Sequence, residues 1–236
     1  MLLGLPLIGV WIAGLPIRRY LEFPPQTRYV QHAPFSWTAF LVIGFVIAAS
    51  VLPLVIKAIQ SYRKSRLLTG TSPVYPFPWW GWLGIVVGIL AWFLAWTRFD
   101  WFARFQPPTF SPLWFSYILV VNAICVRRSG RCLMTDRPGL FLLLFPASAI
   151  FWWFFEYLNR FVQNWHYVGA TFSPWAYFWY ATLPFSTVLP AVLSTRHCLL
   201  GAGWITRSCA QWRPIVLSHP LPIAAGGLML SAAALA

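Results

Sequence analysis

Residues 37–56 read WTAFLVIGFVIAASVLPLVI, twenty positions without one charged side chain. A helix of that length rises about 30 Å, the thickness of a bilayer's hydrocarbon layer. The run ends abruptly at Lys57, and Arg63, Lys64 and Arg66 follow close behind. An apolar stretch with a cationic border is the signature of a membrane span and of the loop that stays on its own side.

The same pattern recurs along the chain. Apolar windows cover residues 79–97, 112–126, 139–158, 175–195 and 215–236. The second opens on Trp79, Trp80 and Trp82, and the short third is bracketed by Trp114 and Arg127. Aromatic and basic residues at span ends are interfacial anchors. The expected fold is therefore all-α, a polytopic integral membrane bundle of six spans over residues 37–236. The sixth window stops at Ala236 inside its apolar run, which suits a complete chain and a truncated one alike.

Residues 1–36 stand apart as an N-terminal apolar segment and an outer loop. Their first seventeen positions are apolar but broken by Pro6, Pro16 and three glycines. No basic region precedes them, so a cleaved signal peptide fits poorly. They read either as a seventh, tilted span or as a re-entrant or surface-lying piece.

Composition agrees with the spans. The 236 residues are 59% hydrophobic and 9% charged, against about 25% charged in soluble domains. The net charge of +13 would suggest nucleic acid in a soluble protein. Here the cations lie in short loops between apolar runs, so membrane lipids are the expected partner and nucleic acid is not. Eleven of the seventeen Lys and Arg fall in residues 57–78, 127–138 and 196–214. By the positive-inside rule these loops face the cytoplasm, most simply at a bacterial inner membrane. Cys125, Cys132, Cys198 and Cys209 form no CxxC pair and no zinc spacing, so neither a metal site nor a disulfide framework is expected. No glycine-rich phosphate loop is present, which argues against ATP-driven work.

Ionisable side chains at membrane depth are costly and mark candidate sites. Glu156 follows five consecutive aromatic residues, among them Trp152 and Trp153. On a helix it shares a face with Asn159, Arg160 and Gln163, and an acid-first Glu156–Arg160 pair is in favourable register. Downstream, Trp165, His166 and Tyr167 could fold back over the bundle mouth and bring His166 to Glu156 as a proton-shuttling couple. The bland alternative is an interfacial pair and an aromatic belt. Pro184 and Pro190 should break the fifth span, with Ser186 and Thr187 bonding the freed backbone or lining a ligand site. Asn122 and Ser148 read as interhelical hydrogen-bonding residues.

No cofactor is assigned. His32, His166, His197 and His219 admit a haem iron or a pigment magnesium, yet all four lie at span edges. The sixteen tryptophans are mostly belt residues; Trp92, Trp152, Trp153 and Trp179 look deeper and would suit lipid, isoprenoid, quinone or pigment contact.

Three functions are compatible with this pattern. The first is a non-catalytic accessory subunit that docks onto other membrane subunits through aromatic faces. The second is an enzyme acting on a lipid or isoprenoid, with Glu156 as acid or base and Arg160 and His166 in support. The third is a small transporter. The scarcity of acid–base groups and of polar residues along the first spans favours the first.

Overall fold

A computed structural model describes residues 2–24, 34–68, 74–167, 172–201 and 220–234. Ten α-helices account for most of them: α1 Leu5–Ile12, α2 Arg18–Leu21, α3 Trp37–Leu68, α4 Trp79–Trp96, α5 Phe110–Ser129, α6 Leu133–Asp136, α7 Pro138–Val162, α8 Pro174–Ser186, α9 Val188–Leu200 and α10 Pro220–Ala234. Two 3₁₀ turns, Asp100–Phe105 and Pro107–Thr109, lead from α4 into α5. No strand occurs among the described residues. The protein is an all-α membrane helix bundle.

Five helical stretches are long and apolar enough to cross a bilayer: Trp37–Lys64, Trp79–Trp96, Pro107–Ser129, Pro138–Val162 and Pro174–Leu200. They match the first five expected windows. The first is longer than its apolar run, because α3 continues as helix through Lys57 and Arg63. The sixth window is represented by α10, whose 15 residues rise only about 22 Å; residues 215–219 lie outside the described residues. In the N-terminal segment the 8 residues of α1 reach only about 12 Å, too short for a helix that crosses by itself. That segment instead lies against the far end of α7, where Tyr157 donates to the Leu3 carbonyl at 2.5 Å and Tyr20 stacks on Phe161.

The packed part of the bundle is built around α5, which touches α4 on one flank and α9 on the other. α7 closes the group against α8 and α9. Water provides no drive for helices to associate inside a bilayer, so close approach must come from small residues and hydrogen bonds. α4 supplies the first. A Cβ built at Gly81 would collide with the Ala123 Cβ, and one at Gly84 would come within 2.9 Å of the Leu119 Cβ. α5 supplies the second. Asn122, fully buried, donates to Ser194 Oγ of α9 at 2.9 Å and accepts from the Met134 amide at 3.3 Å.

α5 stops at Gly130, whose φ of +74° favours glycine; any Cβ there would meet the Tyr75 ring at 2.8 Å. Beneath this end, Cys125, Cys132 and Cys198 pack with Val121 as free, buried thiols.

α3 behaves differently. None of its residues from Trp37 to Lys64 is buried, and a Cβ at Gly44 would meet nothing within 4 Å.

Candidate functional site

The expected break in the fifth span is present. α8 ends at Ser186 and α9 begins at Val188, with Thr187 fully buried between them. Pro190 lacks the amide that would bond the Ser186 carbonyl, so the ladder is already weakened here. Ser148 of α7 repairs the adjoining rung. Its hydroxyl donates to the Phe185 carbonyl at 2.5 Å and accepts from the Leu189 amide at 3.0 Å, bridging two groups that would bond each other in a continuous helix. Ser186 and Thr187 donate to the carbonyls of Leu183 and Pro184 at 2.7 and 2.6 Å. The hydroxyls at the break are thus engaged with their own helix.

Around Glu156 the chain closes on itself. α7 ends at Gln163, a non-glycine residue held in the left-handed region with φ of 52°, a common way to terminate a helix. The chain then reverses direction. Asn159 fixes that reversal: Oδ1 accepts from the amides of Asn164 and Trp165 at 2.8 and 3.2 Å, and Nδ2 donates to the Trp165 carbonyl at 2.8 Å. As a result Trp165 and Tyr167 come back over the helix end toward Glu156.

Glu156 is buried, and neutral groups satisfy it. Its Oε1 accepts from Trp165 Nε1 at 3.0 Å and from the Tyr167 hydroxyl at 2.6 Å. The Tyr177 hydroxyl of α8 lies 3.5 Å from Oε2. The Tyr167 hydroxyl is held well above its ordinary titration range, first by burial and then by its bond to the Glu156 carboxylate. It therefore keeps its proton and remains a donor.

The expected Glu156–Arg160 pair does not form as an ion pair within 4 Å. Arg160 donates instead to the Tyr20 carbonyl at 2.6 Å and anchors the N-terminal segment. The proton-shuttling couple is not assembled either. The bonds that Glu156 receives come from the neighbours of His166 and from α8, not from the imidazole.

Trp152 and Trp153 both line the α7–α8 seam. Trp153 stacks on Phe178 and donates to Thr182 Oγ1 at 3.0 Å. Trp152 packs on Phe185, and its buried Nε1 has no hydrogen-bond partner among the described residues. The deeper aromatic wall is split, since Trp92 and Trp179 face outward. His32, His219 and Cys209 lie outside the described residues, and no cluster of His, Cys, Asp and Glu suited to a metal occurs among those described.

Residue spacing along one helix could reveal Glu156 and Asn159. It could not reveal Tyr177 or Tyr20, which arrive from other segments. The aromatic residues of α8 are the only sequence signal for the former.

No protein-family model, curated protein or solved structure matches this chain. The chemistry of the site is what its own geometry permits. An ionised carboxylate has about four lone-pair positions. Oε1 already takes two close donors, and the Tyr177 hydroxyl stands 3.5 Å from Oε2. The arrangement orders the end of α7 and holds the returning loop; each bond to the charge contributes about 1.5–3 kcal/mol.

Proposed function

We propose that this chain is a non-catalytic subunit of a larger membrane complex, and that α3 is the helix it presents to its partner. The observation that carries this reading is the contrast between bare α3 and the packed bundle. α3 bears Gly44 and Ala48, four residues apart, and α4 bears Gly84 and Gly88 at the same interval. In α4 that pair is used: the side chains of Leu119 and Ser116 press against it. In α3 the equivalent surface is open. Small residues spaced by four let two helix backbones approach within van der Waals reach. The occupant that fits is a transmembrane helix of another protein.

The network at Glu156 supports the same reading, because Trp165, Tyr167 and Tyr177 engage that carboxylate within the protein. Orientation follows from the loop charges: the ends bearing Lys57, Arg127 and Arg196 face the cytoplasm, in a bacterial inner membrane.

Isolation of the full chain from its native membranes in mild detergent tests the proposal, alongside a variant combining Gly44→Leu and Ala48→Leu. The expected result is a defined set of partner proteins with the unchanged chain and their loss from the variant, with equal thermal melting of both. A second copy of this chain as the sole companion, or companions retained by the variant, would overturn it.

A further inference from the structure

At the end of the bundle remote from Glu156, three helices surround a cavity of about 740 Å³. Arg128 from the end of α5, Arg137 just before α7 and Arg196 from α9 line it, together with Arg131 between α5 and α6 and Asp136 at the end of α6. Arg137 and Glu156 are nineteen residues apart across α7, or ~28 Å along its axis. The cavity therefore sits at the opposite edge of the hydrocarbon layer, at headgroup depth.

Its charge is unbalanced. Asp136 is its sole carboxylate, and that is taken by Arg131, whose Nε lies 3.0 Å from Oδ2. No ion pair engages Arg128, Arg137 or Arg196 among the described residues. Three arginines that line one cleft carry like charges, and their repulsion grows as the surroundings become less polar. A bound anion removes that cost, and a phosphate matches the planar, forked donors of arginine.

Ser129 and His197 add polar groups to the lining, and leucines give it an apolar wall. Leu140, Leu193 and Leu200 share the cavity with the arginines, and Leu140 and Leu200 are also exposed outward. A free anion would gain nothing from that wall. A lipid would, because its phosphate meets the cations while its chains lie along the leucines.

We infer that this cleft is a binding site for the headgroup phosphate of an anionic glycerophospholipid. The full chain is placed in mixed micelles with phosphatidylglycerol or phosphatidylcholine, and retained lipid is counted by native mass spectrometry. Inorganic phosphate serves as a competitor. Phosphatidylglycerol should be retained about tenfold better, on the order expected for one or two arginines each contributing ~1 kcal/mol near a charged surface. Arg137→Gln combined with Arg196→Gln should bring retention down to the phosphatidylcholine level, while Arg104→Gln, on a different turn, leaves it unchanged. All three arginines are exposed, and melting curves confirm that the variants fold. Equal retention of both lipids, or equal loss with Arg104→Gln, would overturn the site. Displacement of phosphatidylglycerol by micromolar inorganic phosphate would show a free-anion site and overturn the lipid assignment.

Discussion

α3 and α4 are composed alike and placed differently. Both have an apolar run with no charged residue, Trp37–Ile56 in α3 and Trp79–Trp96 in α4, and both carry a pair of small residues four positions apart. α4 uses that pair against α5, where Leu119 and Ser116 lie on Gly84 and Gly88, and the nearby Gly81 has no room for a Cβ beside Ala123. Among the described residues, none of α3 from Trp37 to Lys64 is buried. Apolarity inserts a helix, and something more specific has to pair it. In the closed part of this molecule that something is glycine contact together with Asn122, Ser148 and the Glu156 network. In α3 it is an unfilled surface.

The largest expected effect therefore falls on the closed side. Gly81→Val should destabilise the bundle by about 3 kcal/mol through overpacking against Ala123, whereas Gly44→Val should leave melting unchanged. Melting temperatures in mild detergent compare the two; an equal loss from Gly44→Val would mean that α3 is packed after all.

Glu156→Ala comes next. It strands the Trp165 and Tyr167 donors at a cost of roughly 2–3 kcal/mol, and it should release the returning loop, seen as faster amide exchange at residues 164–167. Unaltered exchange would show that the loop is not held by the carboxylate.

A smaller effect is expected at Tyr167. Its proton is held more tightly in the folded protein than in the unfolded chain, where it leaves near pH 10.0. The stability this contributes is complete below that pH and drains away as pH rises further toward the higher folded value. Tyr167→Phe should lose about 1 kcal/mol at neutral pH and show a shallower decline above pH 10.0. Parallel declines in both proteins would place the Tyr167 hydroxyl outside the network.

Much of this architecture was readable from residue order, because a span is a local property of about twenty neighbours. The windows at 79–97 and 139–158 fall inside α4 and α7 with little adjustment, and Pro184 and Pro190 marked the break between α8 and α9. A return of the downstream segment was expected to bring His166 to Glu156, whereas the side chains that reach it are Trp165 and Tyr167. What escaped depends on contacts between distant segments. The favourable register of Glu156 and Arg160 suggested a pair, yet Arg160 found the Tyr20 carbonyl 140 positions away. Ser148 could be read as a hydrogen-bonding residue, but not as the group that spans a broken rung in another helix. Arg128, Arg137 and Arg196 each looked like an orientation signal; only the packing of α5, α7 and α9 gathers them around one cavity.

The most direct test of the open surface is position-specific photocrosslinking in intact membranes. A photoreactive residue is placed at Val46 on α3 or at Ile89 on the exposed face of α4. Capture of one defined membrane protein from Val46, with lipid alone captured from Ile89, is the expected result. Lipid alone at both positions would contradict a docking role for α3.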